Sequence, residues 1–306
     1  MLVFATSDKG GTGRSVTSSN VAYRSALQGS NVCYLDFDFG SPTVGAIFNI
    51  ETAYHGVASD GLHSYLRGLA GAEPVRLNVW TESDRRTLQS RPPGAGRLIL
   101  YPGDRGGGEF AATPEMVGRC ADLLLRLEEE FDLSIVDLSA GRSFATDIAL
   151  EVTADERLRD VTTRWLVFHR WTRQHIIAAA GLVFGDRGLV EAGAARGHDP
   201  DRLGRSVRFV RTAVVDPTSP ELLGLQPQQL AWQQRCNRDL QALAKRHKVG
   251  VTAMLGEVPL DPVLQWREQL ISDQDVHTHR IANPRTVEAF EEIAKRLTDD
   301  SAWEGL

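Results

Sequence analysis

The chain has 306 residues, of which 42% are hydrophobic and 24% are charged, and its net charge is −6. That overall charge excludes general attraction to duplex nucleic acid, so any such contact needs a local basic patch. The three cysteines, Cys33, Cys120 and Cys236, form no CxxC pair and indicate neither a zinc site nor a disulfide framework. The N-terminus lacks the features of a signal peptide and no apolar run approaches the ~20 residues of a membrane span, so we expect a cytoplasmic protein.

Short apolar runs rich in Val, Ile, Leu and Phe alternate with helical patterns along the chain. The runs cover residues 2–6, 32–38, 97–102, 133–138, 164–170, 207–215 and 251–259, with helical spacing at 116–131 and 173–185. Such runs are typical of strands buried on both faces of a parallel sheet. The order predicts an α/β fold with a doubly wound, mostly parallel sheet flanked by helices, in a single domain over residues 1–306. Surface excursions are expected near 71–96 and 216–229.

The first run leads into KGGTGRS, residues 9–15, which opens a helical pattern. Glycines allow backbone N–H groups to approach an anion closely, and a helix N-terminus adds partial positive charge. Ser15 stands where a hydroxyl would bind Mg²⁺. The sequence therefore predicts a phosphate-binding loop, with a plain glycine turn as the alternative at this point.

Carboxylates end two of the later runs. Asp36 and Asp38 close the second run and, two residues apart, point to the same side of a strand. At the carboxyl end of a parallel sheet they would face the loop of the first strand. Asp137 ends another apolar run and suits a ligand for Mg²⁺-bound water, although each carboxylate taken alone is also consistent with a solvated strand end.

Together these motifs resemble the deviant-Walker P-loop ATPases of the ParA/MinD family. KGGTGRS is similar to the family pattern KGGxGK(S/T), DFDFG to DxDxG, and DLSAG, with Ser139 and Ala140, to the third motif. The segment GEVPLDPVLQWREQLI, residues 256–271, looks like the family's later proline-containing segment. The resemblance covers most of the chain and is weakest across 71–96 and 185–235.

The resemblance implies ATP/ADP and Mg²⁺ as ligands of a homodimer that sandwiches ATP. Lys9 matches the signature lysine that reaches the partner's nucleotide, and Asp38 would position the attacking water. Ser15 would bind Mg²⁺, with Asp36 and Asp137 holding its waters. The implied nucleotide-binding residues are Lys9, Gly10, Gly11, Thr12, Gly13, Arg14, Ser15, Val16 and Pro259.

Two positions depart from the family pattern. Arg14 replaces the lysine that bridges the β- and γ-phosphates; arginine still neutralises phosphate but has a different shape, so we expect nucleotide binding with slow or absent hydrolysis. The asparagine that often reads adenine is missing, and Thr212 or Asp216 lies near its place. Adenine preference is therefore less firmly indicated than phosphate binding.

The predicted function is a nucleotide-dependent dimerising switch with weak ATPase activity, in DNA partition or in cargo or site positioning, with an activator or adaptor protein as partner. The alternative is a degenerate relative that binds nucleotide without turnover and acts as a scaffold or regulator; a metabolic ligase or amidotransferase ranks last. A set of basic residues has two interpretations, nonspecific DNA binding or a solvated helix face. Its members are Arg235, Arg238, Lys245, Arg246 and Lys248. The acidic C-terminal segment disfavours a membrane anchor and predicts a helix packed through Phe290, Ile293 and Leu297. Two smaller features stay open between structural and partner contacts: the junction 169–177, where Thr172 suits a helix N-cap, and Trp303.

Overall fold

The computed structural model describes residues 1–69, 71, 73–215 and 224–304. In this part of the chain an eight-stranded sheet has the order β3-β4-β2-β5-β1-β6-β7-β8. All its neighbouring strands pair in parallel except β3 and β4, which are antiparallel. The strands are β1 (Leu2–Thr6), β2 (Val32–Phe37), β3 (Leu77–Asn78), β4 (Leu98–Tyr101), β5 (Leu133–Leu138), β6 (Thr163–Arg170), β7 (Val207–Val214) and β8 (Met254–Pro259). The predicted doubly wound α/β fold is confirmed.

Helices cover both faces of the sheet. Because alternate side chains of a strand point to opposite faces, Leu2 and Phe4 of β1 belong to one hydrophobic cluster and Val3 and Ala5 to the other. The helices are α1 (Arg14–Leu27), α2 (Val44–Ile47), α3 (Leu62–Leu66), α4 (Val79–Glu82), α5 (Pro114–Glu130), α6 (Phe144–Thr153), α7 (Arg173–Phe184), α8 (Leu189–Ala194), α9 (Pro200–Arg205), α10 (Pro227–Arg246), α11 (Pro262–Trp266), α12 (Asp273–His277) and α13 (Pro284–Thr298). No helix of the described ranges combines the length and apolar character needed to cross a membrane.

The helix ends follow local sequence rules. Thr113 precedes α5 and accepts a hydrogen bond from the main-chain N–H of Met116, while Pro114 fills the first helical position, where no N–H is needed. Thr172 caps α7 in the same way, through the N–H of His175, so the predicted N-cap is confirmed.

The predicted excursion over 71–96 is wrong in part. It contains β3, which pairs with β4, and α4, whose Val79 and Trp80 are buried. The Trp80 indole N–H donates to the Gly96 carbonyl at 3.0 Å. A two-residue strand is too short to show a periodic pattern, so sequence alone presents this stretch as loop. Of the other excursion, 216–223 lie outside the described residues and Pro227 begins α10.

The C-terminal segment packs on its own domain. Phe290, Ile293 and Leu297 of α13 are buried, as predicted. Trp303 then lies against the guanidinium groups of Arg164 and Arg208, at 4.6 and 5.1 Å from its ring centroid, and its indole N–H donates to a carbonyl of α13. Of the two interpretations of Trp303, the structure shows the packing contact.

Candidate nucleotide-binding site

The glycine loop joins the central strand β1 to α1. Gly11 and Gly13 have φ values of 70° and 74°, in the left-handed region that glycine adopts without strain, and Gly13 is the N-cap of α1. A Cβ atom added at Gly10 or Gly11 would meet nothing within 4 Å. Lys9, Gly10 and Gly11 are exposed, whereas Thr12 is buried. The loop therefore presents an open outer side at the N-terminus of a helix.

Hydrogen bonds to main-chain carbonyl groups fix the inner side of the loop. The Thr212 hydroxyl on β7 donates to the Thr12 carbonyl at 2.5 Å, and the Ser7 hydroxyl donates to the Lys9 carbonyl at 3.0 Å. The N–H of Gly141, in the loop after β5, donates to the Ser7 carbonyl at 2.7 Å. Thr212 thus supports the loop, while Asp216, the other residue considered for adenine recognition, lies outside the described residues.

Strand register brings the predicted carboxylates together. Asp36 of β2 stands opposite Asp137 of β5, which in turn pairs with Ala5 of β1, next to the loop. Asp36 accepts hydrogen bonds at 3.2 Å from the main-chain N–H groups of Asp38 and Val44. Burial, and then the charge of Asp137, raises the pKa of Asp36 well above its usual value. Asp36 therefore orders the loop that carries Asp38.

Arg14 connects two of these carboxylates. Its Nε donates to Asp137 Oδ1 at 2.5 Å and its Nη2 donates to Asp38 Oδ2 at 2.9 Å. Burial alone would lower the pKa of Arg14, but Asp137 and Asp38 raise it above its usual value, so the guanidinium is charged. Burial raises the pKa of Asp137, although Arg14 opposes that shift. The planar guanidinium donates to both carboxylates from separate nitrogen atoms, whereas a lysine has a single ammonium nitrogen.

The oxygen atoms around Ser15 fit a hard cation whose remaining ligands would be nucleotide phosphates. The Ser15 hydroxyl accepts a 3.2 Å hydrogen bond from Arg14, and Asp137 Oδ2 is buried without a hydrogen-bond partner in the described part. Across the same residues no group of three or more His, Cys, Asp and Glu side chains forms a metal site. Mg²⁺ often takes only one or two protein oxygens, with phosphates and water supplying the rest, so this sparse set matches a nucleotide-bound ion.

A cavity of about 200 Å³ lies beside the loop. Gly13 and Val16 line it from the loop side, Thr212 from β7, and Pro259 from the end of β8. Thus Val16 and Pro259, both predicted to contact nucleotide, face one space with the glycines. Asp36, Asp38 and Asp137 are not among its lining residues.

Sequence reasoning missed Asp261. This buried carboxylate accepts hydrogen bonds from the main-chain N–H groups of Val263 and Asn283, and from the Thr286 hydroxyl at 2.8 Å. It therefore fixes the segment after Pro259 against the start of α13. The signal available was the Asp-Pro pair, which is typical of an N-cap followed by the first helical residue.

The predicted basic surface on and after α10 is exposed. Its members are Arg235, Arg238, Lys245, Arg246 and Lys248. None of their side chains forms an ion pair with the described residues.

A glycine loop between a central parallel strand and a helix N-terminus, facing carboxylates from neighbouring strands, defines the class as a P-loop NTPase fold. Solved structures with this fold include the MinC:MinD cell division protein complex of Aquifex aeolicus, at 17% identity and a TM-score of 0.60, covering 97% of this chain and 95% of that one. A putative plasmid partition protein of Borrelia burgdorferi bound to AMPPNP has 13% identity and a TM-score of 0.60, and 97% of each chain is covered.

The sequence comparison is narrower. The septum site-determining protein MinD of Bacillus subtilis (strain 168) is 24% identical over 139 residues, which are 45% of this chain and 45% of that protein. The match thus spans less than half the length of this curated relative. No family model matches the chain. The predicted resemblance to ParA/MinD ATPases is confirmed, and the fold is theirs.

Proposed function

We propose that the chain is a nucleotide-dependent switch of the ParA/MinD type, which binds ATP with Mg²⁺ and dimerises around it. The observation that carries this proposal is the open glycine loop at the start of α1, with Asp36, Asp38 and Asp137 gathered beside it. Nucleotide-bound relatives of the same fold, such as the AMPPNP complex above, support ATP as the ligand. We propose that the protein acts in the cytoplasm as one domain.

The position of Lys9 supports a homodimer. Its side chain is exposed and forms no ion pair with the described residues, while the neighbouring Gly10 and Gly11 leave the loop open in front of it. A lysine placed before the glycines is poorly directed at its own phosphates but is available to those of a second copy. Two-fold symmetry would then supply one such lysine to each site.

The chemistry in this proposal is transfer of the γ-phosphoryl group to water, giving ADP and phosphate. Ser15 would bind Mg²⁺, with Asp36 and Asp137 holding its waters; the ion when bound would neutralise phosphate charge, and Asp38 would orient the attacking water. In the structure Asp38 instead accepts a hydrogen bond from Arg14 at 2.9 Å. Hydrolysis is therefore slow, because this contact must break before the carboxylate can hold a water.

The same ion pair favours a second candidate function. If Arg14 stays on Asp38 and Asp137 after nucleotide has bound, the chain binds nucleotide without turnover and acts as a scaffold or regulator. Release of γ-phosphate distinguishes the two functions: any turnover that Asp38→Asn abolishes supports the switch, and its absence supports the scaffold.

The cargo proposal rests on the exposed basic surface of α10. We propose nonspecific DNA as its ligand, with an activator or adaptor protein as a further partner. DNA retention in low salt that requires ATP, and that weakens when Arg235 and Arg238 are changed to Gln, supports partition. Retention that is equal with and without ATP would contradict it.

The decisive experiment measures mass by light scattering and nucleotide uptake by calorimetry, with AMPPNP·Mg²⁺, with ADP·Mg²⁺ and without nucleotide. We expect dimers only with AMPPNP, and heat of binding with both nucleotides. Lys9→Gln is the matched variant: it should bind nucleotide yet remain monomeric. Monomers and no heat in every wild-type sample would refute the proposed function.

A further inference from the structure

Arg14, at the end of the glycine loop, already forms ion pairs with two carboxylates of the protein. Arg14 carries one positive charge and donates to both Asp38 and Asp137, and Asp36 lies opposite Asp137. This cluster therefore has no surplus positive charge to offer a triphosphate, which carries several negative charges. Besides the Mg²⁺ and the second copy's Lys9 of the proposed function, another cation of the same chain would strengthen phosphate binding.

Arg170 is such a cation, and it lies at the same site. It is the last residue of β6, which pairs directly with β1, the strand that leads into the glycine loop. Arg170 lines the 200 Å³ cavity together with Gly11, Gly13 and Thr212. It is half-buried, and within the described ranges no carboxylate pairs with its guanidinium.

The electrostatics of the neighbouring helix start agree with this placement. The pKa of His175, in the first turn of α7, is lowered by partial burial and then by the charges of Lys9 and Arg170, with Asp8 opposing. Lys9 and Arg170 thus both act on one point beside the loop. Lys9 is exposed, whereas Arg170 is half-buried, lines the cavity and has no carboxylate partner among the described residues.

We propose that Arg170 binds the phosphates of the nucleotide held by its own chain, the role expected of the residue at position 14. Arg170 would thereby make the site select nucleoside di- and triphosphates over nucleosides. The inference rests on the proposed function. A guanidinium presents two parallel N–H donors to one phosphate, so a single arginine can serve this purpose. Arg14 then remains free to keep Asp38 and Asp137 in place.

Arg170→Gln is the test, with Arg173→Gln as its matched control, since Arg173 is an exposed arginine in the first turn of α7. Binding of ATP, ADP and adenosine is measured with Mg²⁺, by calorimetry and, for adenosine, by ligand-observed NMR. We expect Arg170→Gln to weaken ATP and ADP about tenfold, which is roughly 1.4 kcal/mol, and to leave adenosine within about twofold. Arg173→Gln should bind all three ligands like the wild type.

Arg170→Lys covers the case in which the glutamine variant does not fold. This variant keeps the charge but loses the paired donors, so we expect its affinity for ATP to lie between the affinities of the wild type and of Arg170→Gln. If Arg170→Gln cannot be made, we expect an affinity about threefold below that of the wild type. Wild-type affinity for ATP in Arg170→Gln, or in Arg170→Lys when that is the variant available, overturns the inference, as does equal loss of ATP and adenosine. If the wild type itself binds no nucleotide, the proposed function fails, which is a different result from phosphate binding that ignores Arg170.

Discussion

Replacing Arg14 by lysine tests how the ion-pair cluster limits turnover. The change removes a guanidinium that donates to Asp137 at 2.5 Å and to Asp38 at 2.9 Å, and a single ammonium can keep only one of these contacts well. A hydrogen bond to a charged group contributes about 1.5–3 kcal/mol, so we expect the free energy of unfolding to fall by that amount. For a chain of this size that is a decrease of roughly 2–5 °C in Tm. Because Asp38 is released, γ-phosphate release should rise, by as much as about a hundredfold if misplacement is what limits it.

The assay is phosphate release with ATP·Mg²⁺, alongside urea unfolding of the same preparations. Arg24→Lys is the matched control, because Arg24 lies on the same helix, is buried, and pairs with Asp273 at 2.5 Å away from the loop. It should lose similar stability without any gain in turnover. Turnover that is the same in wild type and Arg14→Lys, or that rises equally in Arg24→Lys, would refute the reasoning.

Three further predictions concern the supports of the site. Burial lowers the pKa of His169 from 6.5 to about 4. Between these pH values the unfolded chain binds a proton that the folded chain does not, so His169 by itself should lower the free energy of unfolding by roughly 3 kcal/mol as pH falls from 6.5 to 4. His169→Phe should lack this contribution, which is the pH-dependent difference between wild type and variant in urea unfolding. Thr212→Val deletes the hydrogen bond to the Thr12 carbonyl, so we expect a loss of about 1–3 kcal/mol and weaker ADP binding by calorimetry; unchanged ADP affinity would show that the loop does not depend on this support. Asp261→Ala leaves three donors unsatisfied, so a loss of about 3 kcal/mol and weaker nucleotide binding are expected, whereas a stability loss with unchanged affinity would separate this carboxylate from the cavity.

The sequence was sufficient for the central strands and for the loop, and for a physical reason. Strands such as β1 and β5 are buried on both faces, so their apolar runs coincide with their ends, and the glycines at 11 and 13 mark backbone conformations that other residues adopt at a cost. The pairing of β3 with β4 was not accessible, because a two-residue strand is defined by its partner rather than by its own pattern. The partners of Arg14 were missed for a related reason: Asp137 lies 123 residues away, and only the strand register brings it to the loop.

The cluster around Arg14 also shows how the fold accommodates carboxylates that lie close together in its interior. Asp36 and Asp137 face each other across two buried strands, an arrangement in which two ionised carboxylates repel strongly. The pKa of Asp36 is raised well above its usual value, which disfavours its charged form, and Arg14 provides the counter-charge of Asp137. Removing a partner from a buried ion pair costs about 3–5 kcal/mol, which is a large part of the stability of an ordinary domain. Moving Arg14 away from Asp137 and Asp38 would therefore cost free energy, and under the proposed function this cost slows hydrolysis and leaves phosphate binding to another cation of the chain.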